Sequence, residues 1–511
     1  MTLQTPDRDL PVPSDATISE EAPSARRGAG LFFAASGLSQ VAALLRYVAL
    51  ARLLGPEQLG LAATLVVTGA FFDMISDTGS DRFLIQDRDG DTSAVQKLVH
   101  LVYVGRGLLI AFLLVALANP VAAFYKAPRL ADGLMILAVS PLILGFLHLD
   151  IRRWQRRQDF RGEAICMMTS EAAGLMATVT AAWITHDFTA ILYGLITRSV
   201  VMVLVSHLQA ERRYVLGYVR EHAPRLRRFS APLILTGLML FIGSQGDRPI
   251  VARTLGFKAL GLYSAVLLLV YYPAAVLMNY IHVLYVPMIA ARRDDSAGRN
   301  DVSDRLGGQT LLLALAMSAG FAVVAPLAVP FLYGARYAEA PVIIALIGIL
   351  QTTRFLIVWP TTVALGLGRS RTVLASNTAR LLAFPGAFAG VWLVGGLPGL
   401  VAGFTLGELA SIIVALILLN RNTERPFWTG FDRFAAFIVG SAVIIGGAVA
   451  YERASLIMAG LDAVAAIAVA IWVAGREAAT LRNAVAHATG LAASFFRWRS
   501  GSRNRASGDL G

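Results

Sequence analysis

Five arginines stand where an arginine is expensive. Arg46, Arg198, Arg248, Arg354 and Arg380 fall inside long apolar stretches. In hydrocarbon such a charge costs roughly 2.5–3.5 kcal/mol on insertion scales, so it faces a partner or a protein-lined cavity. A guanidinium grips phosphate or carboxylate through two parallel N–H groups. These five are therefore the candidate binding residues for an anionic head group. Arg106 lies in a similar stretch. Four carboxylates share these surroundings: Asp73, Asp77, Glu171 and Glu408. They are partners that neutralise the arginines, or they take up protons or sodium as coupling sites. Asp73 and Asp77 are four residues apart, which on a helix places them on one face. Two adjacent carboxylates raise the pKa of at least one. Arg46 and Arg248 come late in their stretches, where snorkelling to the interface is the alternative. Ser36, Ser39 and Gln40 add a polar stripe beside Arg46; Ser244, Gln245 and Asp247 cluster beside Arg248. His148, His207 and His282 stand near stretch ends and read as interfacial.

The stretches define the architecture that must hold these groups. The chain has 511 residues, 56% hydrophobic and 15% charged, too little charge to cover a soluble protein of that size. Crossing the hydrocarbon takes about 20 apolar residues. Fourteen spans are expected, near 31–51, 59–85, 98–119, 130–150, 163–184, 188–209, 229–252, 259–290, 306–330, 340–366, 373–394, 397–419, 433–451 and 454–475. The segments are long and continuous rather than alternating, which argues against a β-barrel. Every second connection is basic. Those near 87–97, 151–162, 210–228, 291–305, 367–372 and 421–433 hold 22 Lys and Arg, whereas the seven on the other side hold 7. Basic connections collect on the cytoplasmic side, so both termini are expected there. The net charge of +12 follows from this orientation, and no nucleic-acid motif accompanies it.

A repeat divides the chain. Ala51–Leu61 and Ala252–Leu262 are identical at seven of eleven positions, among them Arg52/Arg253, Gly55/Gly256 and Gly60/Gly261. Each copy joins the first and second helices of a half. Six spans separate the copies, so the halves point the same way. Parallel halves are a transporter arrangement, with the substrate site between them. Leu-Gly at 59–60 and 260–261 permits close helix contact. The expected organisation is a disordered cytoplasmic tail at 1–28, an N-terminal six-helix bundle at 29–228, a C-terminal six-helix bundle at 229–420, two additional transmembrane helices at 421–475 and a basic cytoplasmic tail at 476–511.

Several functions are excluded or unsupported. Cys166 is the only cysteine, so no disulfide within the chain and no cysteine-cluster metal site forms; it reads as a packing residue. There is no Walker A sequence, no Rossmann glycine pattern, no nucleophile elbow and no His-Glu-x-x-His. No connection is long enough for an ATP-binding domain, so active transport draws on an ion gradient. No cofactor and no metal are expected. The block Ile151–Arg161, with Trp154 and Phe160 among five arginines, fits an amphipathic segment on lipid head groups.

In order along the chain, these residues resemble the oligosaccharide flippases of the MOP superfamily, the polysaccharide transporters and O-antigen (Wzx-type) flippases. The resemblance covers roughly 28–475. It rests on Ala51-Arg-Leu-Leu-Gly-Pro-Glu-Gln-Leu-Gly, on Asp77-Thr-Gly-Ser with Leu84-Ile-Gln86, and on Gln155-Arg-Arg-Gln-Asp-Phe-Arg161. Asp247-Arg248 before Ala252-Arg-Thr-Leu-Gly, Ala259-Leu-Gly-Leu-Tyr263, Tyr333-Gly-Ala-Arg-Tyr337 and Gly366-Leu-Gly-Arg369 complete it. Asp77-Thr-Gly-Ser departs from the usual Asp-Leu-Gly-Leu form. The resemblance implies an all-α integral membrane protein of about 14 transmembrane helices, with two parallel six-helix bundles around a central cavity plus two C-terminal helices. It implies flipping of a polyprenyl-diphosphate-linked oligosaccharide across the bacterial inner membrane, for lipopolysaccharide or exopolysaccharide synthesis. It also implies that Arg46, Arg198, Arg248, Arg354 and Arg380 meet the substrate. The partners implied are the lipid-linked oligosaccharide, membrane lipids and a glycan polymerase and glycosyltransferase complex, with no nucleic acid. The competing readings are a MATE-type small-molecule exporter, a membrane glycan polymerase or ligase, and a scaffold of glycan assembly. An arginine-rich interior argues against a cationic drug, and no large periplasmic loop offers acid/base residues to an enzyme.

Overall fold

Prolines set three of the helix ends in this protein. Pro120, Pro141 and Pro360 each follow by four residues the last residue of a helix, namely Ala116, Leu137 and Leu356. Proline lacks the N–H that would bond the carbonyl four residues back, and its ring crowds that carbonyl. In the computed structural model, which describes residues 15–454, 464–465, 468–473 and 475, the helices run in order. They are α1 Asp15–Leu54, α2 Pro56–Ile75, α3 Ser80–Gln86, α4 Ser93–Ala116, α5 Ala118–Phe124, α6 Arg129–Leu137, α7 Val139–Leu144, α8 Asp150–Arg156, α9 Arg161–Thr185 and α10 Ala190–Leu208. There follow α11 Ala223–Gln245, α12 Asp247–Ala290, α13 Ser296–Tyr333, α14 Pro341–Leu356, α15 Val358–Gly366, α16 Ser370–Arg380, α17 Ala383–Leu393, α18 Gly396–Asn422 and α19 Phe431–Glu452. No strand occurs among the described residues. Pro273 and Pro287 stay inside α12, and Pro326 and Pro330 inside α13; neighbouring groups in membrane helices can satisfy the freed carbonyls.

Ten helices among the described residues are long and apolar enough to cross a membrane, and large apolar side chains such as Trp392, Leu327 and Phe331 point outward at 85%, 76% and 75% exposure. The protein is an all-helical, multi-pass membrane protein. The count differs from the fourteen expected, for local reasons. The span at 130–150 is split into α6 and α7 by Pro141, and 373–394 is split at Leu381–Leu382, just before Pro385. The span at 229–252 is carried by α11, whose first turns hold Arg225, Arg227 and Arg228, and by the start of α12. The span at 454–475 and the tail at 476–511 fall largely or wholly outside the described residues. Residues 1–14 of the expected disordered tail lie outside them too. Residues 15–28 continue α1 as helix; the stretch is rich in alanine and glutamate, both good helix formers.

Contacts divide the chain into an N-terminal unit, Met1–Leu54 with Thr64–Phe241, and a C-terminal unit, Gly55–Ala63 with Ile242–Gly511. The repeat explains the exchanged segment. Gly55 and Gly256 both take a positive φ, 84° and 85°, which glycine adopts without steric cost. A Cβ on Gly60 would lie 1.9 Å from the Phe257 carbonyl oxygen, and one on Gly261 would lie 1.8 Å from that of Pro56. Shifting Pro56 and Gly60 by 201 residues gives Phe257 and Gly261. The two copies therefore touch each other reciprocally, as patches related by a two-fold axis do.

In the N-terminal unit, Phe83, Leu84, Val99, Leu149 and Cys166 form one buried cluster. Cys166 is fully buried there and accepts from Gln209 Nε2 at 3.3 Å. Beside it, four of the five arginines of 151–161 have partners within the protein. Arg152 meets Glu163 at 2.5 Å, Arg157 meets Asp91 at 2.8 Å, and Arg156 donates to the Ile85 carbonyl at 3.0 Å. Asp150, with no exposed surface, accepts from Gln96 Nε2, Glu211 N and Arg212 N at 2.8–2.9 Å. Burial opposes its charge, yet the hydrogen bonds from Arg212 N and Gln96 hold its carboxyl below the usual carboxylate range. His148 is buried, and its ring meets those of His100, His207 and Tyr214.

Candidate functional site

Each unit buries one glutamate between two arginines, and close helix packing brings them together. In the N-terminal unit, α9 and α10 approach through Gly174 and Gly194. A Cβ on Gly194 would lie 1.8 Å from Thr178 Oγ1, and one on Gly174 would lie 3.0 Å from Arg198 Cβ. Small residues let membrane helices approach this closely. Glu171 lies one turn before Gly174, and Arg198 one turn after Gly194. Arg198 Nε donates to Glu171 Oε1 at 2.5 Å, and Arg46 Nη2, from α1, donates to Oε2 at 2.6 Å. Both carboxylate oxygens are engaged.

The C-terminal unit repeats the scheme with α16, α17 and α18. Glycines pave both faces: a Cβ on Gly390 would lie 1.9 Å from the Gly399 oxygen, and one on Gly403 2.1 Å from that of Gly386. Glu408 follows Gly407, which itself packs on Ala383. Arg380 Nε donates to Glu408 Oε2 at 2.7 Å, and Arg354 Nε donates to Oε1 at 3.0 Å. A Cβ on Gly243 would lie 2.5 Å from Arg380 Nη1, so a methyl there would push that guanidinium aside. Arg354 Nη1 reaches a second acid, Asp247 Oδ2, at 3.1 Å. Tyr263 donates its hydroxyl to the same oxygen.

The five arginines expected to meet a substrate are thus found in two groups. Arg46 and Arg198 share Glu171; Arg354 and Arg380 share Glu408. Arg248 sits beside Asp247, and its Nε is buried without a hydrogen-bond partner among the described residues. Arg46 and Arg248 are each 6% exposed, so neither snorkels. The carboxylates divide differently from expectation. Helix α2 ends at Ile75, so Asp77 does not share a helical face with Asp73. Asp77 Oδ1 instead accepts from Gly79 N at 2.9 Å and caps the turn that Gly79 makes at φ 58°. Asp73 pairs with Arg106 at 2.5 Å. Asp247 and Tyr263 were not assigned to the site from the sequence, although Asp247 stood beside Arg248 in a polar cluster. Among the described residues no group of three or more acid, histidine or cysteine side chains could hold a metal ion.

Each group carries one uncompensated positive charge. The N-terminal one has two guanidiniums against one carboxylate. The C-terminal one, with Arg248 and Asp247, has three against two. Removing one member of a buried ion pair costs more than the pair itself contributes, so each glutamate is needed by the two arginines it holds.

The sequence profile of a family described as "Polysaccharide biosynthesis protein" matches residues 49–341. The succinoglycan biosynthesis transport protein ExoT of Rhizobium meliloti is 26% identical over 303 residues, which span 59% of this chain and 60% of that protein. Among solved structures, the lipid II flippase MurJ in an inward closed conformation superposes with a TM-score of 0.64 at 12% identity, covering 88% of this chain and 99% of MurJ. An inward-facing multidrug resistance MATE family transporter of the MOP superfamily gives 0.61 at 15% identity, covering 78% and 95%. At such identities the two structures share their fold with this chain.

Proposed function

This chain belongs to the polysaccharide biosynthesis protein family, and we propose that it flips a polyprenyl-diphosphate-linked oligosaccharide across the bacterial inner membrane. The observation that carries the reading is the pair of glutamate-bridged arginine clusters, each with one positive charge in excess. A diphosphate diester bears two negative charges and cannot enter hydrocarbon alone. Guanidiniums replace its hydration bidentately. Transport runs by alternating access of a cationic cavity, for lipopolysaccharide or exopolysaccharide synthesis. Arg46, Arg198, Arg248, Arg354 and Arg380 are the residues that meet the substrate. The protein then makes and breaks no covalent bond, and it works beside the glycosyltransferases and polymerase of its glycan. Both termini face the cytoplasm.

The same clusters supply a coupling device. Phosphate oxygens compete with Glu171 and Glu408 for the guanidiniums. A carboxylate so displaced is left uncompensated among apolar helices and takes up a proton or a cation. Asp73 and Asp77 are the lesser candidates for this role, because both reach solvent, with side chains 66% and 34% exposed. The test replaces Arg198, Arg354 and Arg380 singly with alanine in cells that make the glycan. Export stops in at least one, with the protein still in the membrane and lipid-linked precursor accumulating inside. Normal export in all three overturns the assignment. A cationic exporter of the MATE type has no use for excess guanidinium charge.

A further inference from the structure

The connection between α18 and α19 is held in one shape, and that shape turns two aromatic rings outward. Asn420, 2% exposed in the last turn of α18, donates from Nδ2 to the carbonyls of Phe427 and Thr429, both at 2.9 Å. Arg425 grips Asp304 of α13 with both terminal amino groups, at 3.1 and 2.8 Å. Arg433 reaches the same carboxylate at 3.4 Å. Gly430, at φ 84°, passes over Trp359, where a Cβ would lie 2.4 Å from the ring. A buried amide and a two-pronged ion pair thus fix the backbone of 423–430. Yet Phe427 and Trp428 stand 68% and 63% exposed, their rings edge to face at 5.0 Å. Pro426 is exposed beside them.

Two other basic connections of this unit do the opposite. Those at 291–297 and 368–371 expose Arg292, Arg293, Asp294, Asp295, Arg369 and Arg371, side chains that water solvates. Large rings held outward by buried bonds instead mark a contact surface. Depth names the partner. Both α18 and α19 are long and apolar enough to span the membrane, and the rings lie between their ends, Asn422 and Phe431. They stand at the level where acyl chains give way to head groups, the zone in which amphipathic aromatic rings collect. Arg421, exposed in the last turn of α18, supplies a cation for head-group phosphate at that level. We propose that the tip at 426–428 is a rigid wedge seated in the phospholipid interface, and that it fixes the depth of the hairpin formed by α18 and α19. Asn420 and Arg425 are its positioning residues; Phe427 and Trp428 make the contact.

Quenching of a fluorescent label tests this on the full chain. Phe427→Cys carries an environment-sensitive nitrobenzoxadiazole dye in vesicles of phosphatidylethanolamine and phosphatidylglycerol; the native Cys166 is fully buried and stays unlabelled. Arg369→Cys, at an exposed position, is the water-facing control. Phospholipid with a doxyl group high on its acyl chain is expected to quench the label at 427 about twofold more than the label at 369. The same group near the chain end quenches 427 less, and iodide in the water quenches 369 more. Trp428→Ser, which changes only an exposed side chain, lowers lipid quenching at 427 about twofold without moving the melting temperature. Iodide quenching at 427 equal to that at 369 overturns the wedge and leaves a protein partner as the occupant. Shielding from both lipid and iodide overturns it in favour of a second copy of this chain. Undiminished lipid quenching in Trp428→Ser also overturns it.

Discussion

The two units solve one electrostatic problem with opposite wiring. In the N-terminal unit the acid is on the first helix of the closely packed pair, Glu171 on α9, and the arginine on the second, Arg198 on α10. In the C-terminal unit the arginine comes first, Arg380 on α16, and Glu408 follows on α18. The separations along the chain are nearly equal, 27 and 28 residues. A third helix adds the second guanidinium in each, Arg46 from α1 and Arg354 from α14. The glycines of the repeat, by contrast, keep their residue type at corresponding positions. A backbone contact of this kind tolerates only glycine, whereas an ion pair survives exchange of its ends. What the halves share at the charged site is therefore the balance of charge, not the residue order.

They differ in closure. Glu408 and Asp247 have side chains 2% and 0% exposed, while Arg198 is 38% exposed. The C-terminal cluster is locked by its second acid, and the N-terminal one is open on the arginine side. Glu408→Gln breaks this comparison at its strongest point. It strands Arg354 and Arg380, and the expected loss is about 3–5 kcal/mol, read as a fall in the melting temperature of the solubilised protein. Next come Gly60→Ala and Gly261→Ala. Each pushes a methyl into the other copy's backbone at about 1–3 kcal/mol, and the reciprocal contact requires the two losses to match. A twofold difference between them would break the symmetry. Glu171→Gln is expected to cost about 1–3 kcal/mol, less than Glu408→Gln, because Arg198 can turn to water. Equal losses at the two glutamates would remove the distinction between locked and open.

The smallest effect concerns Asp150 and the connection it holds at Glu211 and Arg212. Its folded pKa is depressed, so its stabilisation is present above the ordinary value of 3.8 and is lost as pH falls through the folded pKa. Hydrogen exchange at Glu211 N and Arg212 N should keep its protection from pH 8 to 5 and lose it only in strong acid. Loss near pH 6 would show that Asp150 does not control the connection.

Much of this was legible along the chain. Apolar length marks the spans, because hydrocarbon has a fixed thickness and admits no unsatisfied backbone. Pro120, Pro141 and Pro360 mark their breaks, since the missing N–H acts four residues back. The buried arginines announce themselves by their cost, and Gly60 and Gly261 by recurring at one spacing. These are local or periodic signals, and each has one physical cause.

Partnership was not legible. Arg46 meets Glu171 across 125 residues, and Arg354 meets Glu408 across 54; nothing near either residue names the other. Asp77 looked like the helical neighbour of Asp73 until Gly79 turned the chain away. The sequence by itself determined that charges lie within an apolar bundle and that the chain contains a repeat. Tertiary structure alone decided that two guanidiniums share each glutamate and that one such cluster is sealed while the other is open on its arginine side. Which oxygen a guanidinium reaches depends on how closely glycine-paved helices approach, and that is a property of the packed helices together.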